Sequence, residues 1–268
     1  MRRAVVLTLT VGLVILLGAS IARPAVHPLR VSPDRRHLVD AGGAPFLYLA
    51  DTAWQLFHRL TREEAQRYLE DRAEKGFTVV QAVVLGLEGL DVPNAYGEHA
   101  FVGKDPRRPH EAYFAHVDWI VDRAAALGLT VGMLPTWGDV WHSRQNEPGP
   151  KVFDAAKALE YGRFVGRRYR DRPVIFILGG DRNPETEADR KVVRAMAAGL
   201  RETAPERLIT YHPRGPGRSS DVFHHEDWLR LRHDPVVSRR AWGRHRLERR
   251  ARPRSSAAQA DPGRRAAL

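Results

Sequence analysis

Hydrophobic residues occur along the middle of the chain in short, uninterrupted runs. The clearest run covers residues 174–178, ends at Gly179-Gly180 and is followed at once by Asp181. A strand covered on both faces is apolar throughout, and in parallel α/β folds the catalytic groups follow its carboxyl end. The pattern therefore predicts a buried strand here and makes Asp181 the first candidate for catalysis.

Similar runs recur on both sides of this one, and segments with helical periodicity separate them. The predicted strands cover residues 45–50, 77–85, 129–134, 174–178 and 207–212. Before them, residues 28–32 and 37–40 flank a Pro-Asp turn, which is typical of a β-hairpin. The alternation of strand and helix predicts parallel βαβ units, and hence a barrel or a doubly wound sheet.

Helix-starting signals lie between these strands. Thr61 and Glu64 have the spacing of a capping box, and Asp154 is placed to cap another helix. Asn183 before Pro184 predicts the cap of the helix that follows the clearest strand. This assignment leaves Asp181 free for chemistry, although Asp181 could instead cap that helix itself.

The amino terminus has the features of an export signal. Arg2 and Arg3 precede an apolar run over residues 4–22, with small residues at Ser20 and Ala22. The protein is therefore expected to be secreted or extracytoplasmic. The run is also long enough to remain as a membrane anchor, so both outcomes stay open and the folded domain is expected to begin at residue 23.

The net charge of +11 is concentrated at the two ends of the chain. Ten arginines and three acids give residues 233–268 a charge of +7, Arg2 and Arg3 add +2, and residues 23–232 carry only +2. A nearly neutral domain offers little electrostatic reason to bind nucleic acid. The chain has no cysteine, which excludes disulfides and thiolate metal sites.

Motifs that hold common cofactors are also missing from the sequence. No G-x-G-x-x-G follows the first strand, and there is no Walker A, H-E-x-x-H or G-x-S-x-G motif. The acidic and histidine residues at 224–227 are adjacent in sequence and are better explained as a solvated turn than as a metal site. The sequence therefore predicts neither a cofactor nor a metal.

Polar and aromatic residues follow each predicted strand. Those selected as site candidates are Asp51, Trp54, Trp137, Asp139, Asp181, Asn183 and His212. Aromatic faces stack on sugars and paired acids cleave glycosidic bonds, so the set is typical of a carbohydrate site. The two tryptophans could equally pack in the core, and Asp51 and Asp139 could be turn or capping residues.

Several separated motifs share one family resemblance. They are VSPD at 31–34, HLVD at 37–40, YLADTAW at 48–54, LPTWGD at 134–139, ILGGDRN at 177–183 and HPRG at 212–215. Together, over about residues 28–231, they resemble the apiosidase-like glycoside hydrolases. The resemblance implies a (β/α)8 TIM barrel that cleaves plant polysaccharide side chains by a retaining mechanism. It implies that Asp181 is the general acid/base and that the nucleophile is a glutamate on a later strand.

The pattern changes near residue 232. The domain over residues 23–232 accounts for about five βα units of the eight in such a barrel. Residues 233–268 are rich in Arg, Ala and Pro without periodicity, as expected of an out-of-frame translation or of a disordered basic tail. The sequence therefore predicts a glycosidase-type domain that is inactive if its nucleophile is missing. The alternatives are a non-catalytic carbohydrate-binding protein and, less favoured, an adaptor that uses the basic tail.

Overall fold

The computed structural model of the chain describes residues 27–86, 90–142 and 152–231. The strands are β1 Arg30–Val31, β2 Leu38–Val39, β3 Pro45–Phe46, β4 Ala50–Thr52, β5 Val79–Val83, β6 Thr130–Leu134, β7 Val174–Gly179 and β8 Ile209–His212. The α-helices are α1 Leu56–Arg59, α2 Arg62–Glu74, α3 Glu111–Ala126, α4 Ala155–Tyr169, α5 Glu187–Thr203 and α6 Ser219–Phe223. Short 3-10 turns occupy Val102–Lys104 and Gly138–Val140.

The main sheet contains five parallel strands in the order β4-β5-β6-β7-β8. A doubly wound sheet reverses its strand order at a switch point, whereas a barrel adds each strand beside the one before it. The consecutive order therefore resolves the two architectures that the sequence left open. The fold is α/β of the TIM-barrel type, and five βα units of it are described.

The two faces of the sheet are buried by different partners. On the outer face, residues such as Val80, Met133 and Phe176 pack against the helices. On the inner face, Leu134 and Ile177 join a separate cluster that includes the N-terminal strands. All six residues of β7 are buried, as its continuous apolar run predicted.

The predicted N-terminal hairpin is confirmed, with β1 antiparallel to β2. The run at residues 45–50 is not one buried strand, and that prediction was wrong. Its first part, β3, pairs with β2, whereas its end forms β4 of the main sheet. Leu47 and Leu49, between the two, are 71% and 43% exposed. Hydrophobicity alone did not show that the chain changes sheets within this run.

Helix starts follow the capping signals with one exception. Thr61 and Glu64 form the predicted reciprocal box, and Asp154 accepts a hydrogen bond from the Lys157 backbone N–H. The cap of α5 is Thr186, paired reciprocally with Asp189, and not Asn183 as predicted. The Thr-x-x-Asp box satisfies two backbone donors, which a lone asparagine before proline cannot do.

The sheet continues for one position beyond β8. Ile209 forms an isolated parallel bridge with Leu229, and the Thr210 hydroxyl donates to the Leu231 carbonyl at 2.5 Å. The sequence pattern indicated no strand after β8, because a single bridge leaves no periodicity to detect. The predicted export segment and the tail at 233–268 lie outside the described residues. No helix in the described ranges is long and apolar enough to cross a membrane.

Helices α4 and α5 approach closely because glycines lie at their contact. A methyl group on Gly162 would lie 2.5 Å from the Met196 carbonyl oxygen, and one on Gly199 would lie 2.7 Å from the Arg163 backbone nitrogen. Both added groups would meet backbone atoms, which cannot rotate away. The packing of the two helices therefore depends on the absence of side chains at these positions.

We expect Gly162→Ala to lower the free energy of unfolding by about 1–3 kcal/mol through overpacking, although alanine is the better helix former by about 1 kcal/mol. Urea unfolding provides the measurement. Ala156→Gly, at an exposed position of α4, calibrates helix propensity in the same helix. A Gly162→Ala protein stabilised by the amount that Ala156→Gly loses would contradict the close packing.

His27 joins the N-terminal segment to the amino end of β6, where its Nε2 lies 3.1 Å from the Thr130 hydroxyl. Burial lowers the pKa of His27 to about 4; repulsion from Arg207 adds to this shift and Asp40 opposes it. Burial also lowers the pKa of His116 in α3, with Arg62 contributing. Both rings are therefore held neutral in the folded protein at neutral pH.

Stability should fall as the pH drops from about 6.5 to about 4. The unfolded chain takes up a proton at His27 near pH 6.5, and the folded chain does so only near pH 4. We expect His27→Gln to reduce the slope of unfolding free energy against pH in this window. His37→Gln, at an exposed ring, is the control. An unchanged slope in His27→Gln would contradict the burial of a neutral ring.

Candidate active site

The candidate site is built on the carboxyl end of β7. Gly179, Gly180 and Asp181 have φ angles of 100°, 103° and 54°. Residues with side chains seldom adopt positive φ, and aspartate is among the few that tolerate it. A methyl group on Gly180 would lie 2.6 Å from the Trp137 ring. The glycines therefore let the chain turn tightly against Trp137 and present Asp181 at the strand end.

Asp181 contacts His212 at the end of the neighbouring strand β8. His212 Nε2 lies 3.0 Å from Asp181 Oδ1, and the backbone N–H of Gly180 donates to the His212 carbonyl at 3.0 Å. The Asp181 side chain is 53% exposed, whereas that of His212 is 10% exposed. A ligand in the site can therefore reach the carboxylate, while the imidazole lies beneath it.

Two tryptophan rings lie next to the imidazole of His212. The Trp54 ring lies 5.5 Å from the His212 ring, and the Trp137 ring lies 6.0 Å from it. The two indoles are themselves 5.3 Å apart. Trp137 is only 5% exposed, whereas Trp54 is partly exposed. Trp54 therefore offers the more accessible face for a sugar, and Trp137 mainly packs against its neighbours.

Asp139 and Asn183 lie in the adjoining loops but already have partners. The Arg182 guanidinium donates to Asp139 at 2.7 Å. Asn183 accepts a hydrogen bond from the backbone N–H of Arg214 at 3.0 Å and so ties the loop after β7 to the loop after β8. The structure thus brings Asp139 to the same rim as Asp181, and gives Asn183 a role in joining loops.

Asp51 points away from this rim. It lies within β4, and its carboxylate accepts hydrogen bonds from Arg72 at 2.7 Å and from Tyr68 at 2.9 Å, both on α2. Burial alone would raise the pKa of Asp51, but the bonds from Arg72 and Tyr68 outweigh it and hold that pKa below the usual range. Alternation along the strand explains the direction, since Tyr48 and Ala50 take the inner face.

The three candidate aspartates therefore differ in the side chain that pairs with each of them. Asp51 and Asp139 each pair with an arginine, which stays charged at every physiological pH. Asp181 pairs instead with the imidazole of His212, whose Nε2 lies 3.0 Å from Oδ1, and the Asp181 side chain is 53% exposed. Of these three carboxylates, Asp181 is the one whose charged-group partner is a histidine.

Two supporting residues were missed by the sequence reasoning. Arg182 pairs with Asp139, and the buried Tyr211 hydroxyl donates to the Arg182 carbonyl. Arg182 was visible within the ILGGDRN motif, but Tyr211 carried no signal beyond its place in a strand. Glu88, which follows β5, lies outside the described residues. Among the residues described, no cluster of three or more His, Asp and Glu side chains is placed to hold a metal.

We expect Gly180→Ala to distort the site more than an alanine at an unconstrained glycine does. Gly97, with φ of 80° and no atoms within 4 Å of an added methyl, is the matched control and should cost about 1–2 kcal/mol from backbone strain. Gly180→Ala adds the clash with Trp137. Urea unfolding and tryptophan near-UV circular dichroism measure the two effects. Equal losses and an unchanged spectrum would contradict the close contact.

Solved structures and family models place this geometry among known proteins. A glycoside hydrolase family 5 protein from Bacteroides vulgatus is 30% identical, with a TM-score of 0.67 over 76% of this chain. A protein described as a glycoside hydrolase is 31% identical, also with a TM-score of 0.67 over 76% of this chain. The chain spans 43% and 45% of the length of these two proteins. Among curated proteins, none matches this chain.

The family model described as "Apiosidase-like, catalytic domain" matches residues 32–242. This match includes β4 to β8 and the loops that carry Trp54, Trp137, Asp181 and His212. With a barrel-type sheet and glycoside hydrolases among its structural relatives, the chain belongs to the apiosidase-like catalytic domain family of glycoside hydrolase-like proteins.

Proposed function

We propose that this domain contributes the general acid/base to retaining hydrolysis of glycosides in plant polysaccharide side chains. Asp181 donates a proton to the departing glycosidic oxygen and later removes one from the attacking water. Trp54 supplies an apolar face for the sugar ring. The single observation that carries this proposal is the half-exposed Asp181 carboxylate at the end of β7, paired with the His212 imidazole, whereas Asp51 and Asp139 pair with arginine.

A retaining mechanism also needs a carboxylate nucleophile about 5–5.5 Å from the acid/base. In the family this chain resembles, the nucleophile is a glutamate on a later strand. We assign no residue within 27–86, 90–142 or 152–231 to this role, because Asp51 and Asp139 are bound by arginines. The proposal is therefore that turnover is low or absent unless a nucleophile comes from beyond β8.

The test compares the full chain with Asp181→Asn on a panel of 4-nitrophenyl glycosides and on pectic polysaccharide. We expect Asp181→Asn to lower kcat by about 10²–10⁴-fold, the usual contribution of acid/base catalysis. Azide should restore turnover of an activated glycoside by forming a glycosyl azide of retained configuration, since azide needs no base. Asp171→Asn, in the exposed turn before β7, should match the parent.

If the parent has measurable turnover, equal activity of Asp181→Asn would overturn the assignment of Asp181. Binding of the polysaccharide by the parent without any turnover would favour the second candidate function, a non-catalytic carbohydrate-binding protein. This alternative is favoured because Trp54 is partly exposed and Asp181 is half-exposed, while no described residue is assigned as the nucleophile that hydrolysis would need. Export remains a proposal that rests on Arg2, Arg3 and the apolar residues 4–22.

A further inference from the structure

We propose that His212 is a positioning residue that confines the catalytic proton to one oxygen of Asp181, Oδ2. This inference rests on the proposed role of Asp181 as acid/base and assigns His212 a role different from direct sugar binding. The nitrogen of the imidazole meets Oδ1 at 3.0 Å. The second carboxylate oxygen is thereby left as the one that exchanges a proton with the glycosidic oxygen.

The exposures of the two side chains support an indirect role. Asp181 is 53% exposed and His212 is 10% exposed. A sugar that enters from solvent meets the carboxylate before it meets the imidazole. His212 therefore acts on the substrate through Asp181, which is the property that separates a positioning residue from a contact residue.

Neighbouring groups hold the His212 imidazole in a defined position relative to Asp181. The rings of Trp54 and Trp137 lie 5.5 Å and 6.0 Å from it and 5.3 Å from each other, so the three rings pack together. Its backbone carbonyl accepts the N–H of Gly180, one residue before Asp181. The same two residues, His212 and Asp181, are thus joined through both backbone and side chain, which limits their relative movement.

The consequence for proton transfer follows from simple hydrogen-bond chemistry. In the tautomer that carries hydrogen on Nε2, His212 donates to Oδ1. A proton on Oδ1 would face that hydrogen, so the acid form of Asp181 carries its proton on Oδ2. During glycosyl transfer, this proton moves to the leaving oxygen as its bond to the anomeric carbon breaks and the nucleophile bonds to that carbon. In the second step, Oδ2 takes a proton from the water that attacks the same carbon, while the bond between that carbon and the carboxylate nucleophile breaks and the nucleophile is released as a carboxylate.

The kinetic test uses variants that keep or remove the N–H donor. His212→Phe keeps an aromatic ring packed against the tryptophans but cannot donate a hydrogen bond, whereas His212→Gln retains an N–H donor at similar reach. We expect His212→Phe to lower kcat on the order of 10²-fold for glycosides with poor leaving groups, within the usual range for acid catalysis. Activated 2,4-dinitrophenyl glycosides, which leave without a proton, should lose much less. His212→Gln should recover part of the lost kcat, and KM should change little.

His224→Phe is the control, because His224 is exposed and lies outside the site. A loss in His212→Phe that is equal for all leaving groups would overturn the proton-confining role, since a structural defect affects every substrate alike. A large rise in KM with unchanged kcat would also overturn it and would assign His212 to sugar binding.

A second measurement needs no turnover and therefore separates this inference from the proposed function. The ¹⁵N chemical shift of His212 Nε2 reports its protonation and hydrogen bonding. We expect this shift to change in Asp181→Asn and to stay constant in Asp171→Asn. A His212 signal that is insensitive to Asp181→Asn would overturn the inference. A sensitive signal in a chain without glycosidase activity would support the Asp181–His212 pair while rejecting the proposed function.

Discussion

The left-handed backbone at Gly179, Gly180 and Asp181 is the constraint on which the site depends. A parallel sheet brings the carboxyl ends of its strands to one rim, but it does not by itself make their side chains meet. The two glycines allow the chain after β7 to turn under Trp137, and the positive φ of Asp181 directs its carboxylate to β8. The contact of Asp181 with His212 depends on this turn.

The strands and helices of the main sheet were largely predictable from the sequence, because periodic hydrophobic patterns and capping residues mark them. Four of the five predicted apolar runs correspond to the consecutive parallel strands β5 to β8, and only the end of the first run reaches β4. The Thr61–Glu64 box and the Asp154 cap were readable because capping requires particular side chains at fixed spacing. The position of the Asp181 carboxylate, exposed directly after the buried strand β7, also followed from the sequence pattern.

The partners of each strand-end side chain were not predictable, because they depend on register and on strand face. Asp51 and Asp181 look alike in sequence, yet Asp51 faces Arg72 on α2 and Asp181 faces His212. Trp137 is nearly buried. The hydrophobic pattern of the sequence does not distinguish a buried tryptophan from one that faces a sugar. The exposure of Leu47 and Leu49 also arises from a change of sheet that has no local signal.

The three aspartates differ in the side chain that pairs with each of them, and this difference selects Asp181 as the candidate acid/base. Arginine side chains bind the carboxylates of Asp51 and Asp139, whereas the half-exposed carboxylate of Asp181 pairs with the His212 imidazole. Only part of the length of the related glycoside hydrolases is spanned by this chain. The acid/base role of Asp181 is therefore a proposal, and no residue in the described ranges is assigned as its nucleophile.

The most direct measurement is a crystal structure of the full chain with a non-hydrolysable, sulfur-linked pectic oligosaccharide. We expect the bridging sulfur atom to lie within about 2.6–3.2 Å of Asp181 Oδ2, or slightly farther because sulfur is larger than oxygen. We also expect His212 to keep its hydrogen bond to Oδ1 and to make no contact with the sugar. A bridging atom bound by His212 or by Asp139, with Asp181 facing solvent, would contradict the proposed role of Asp181.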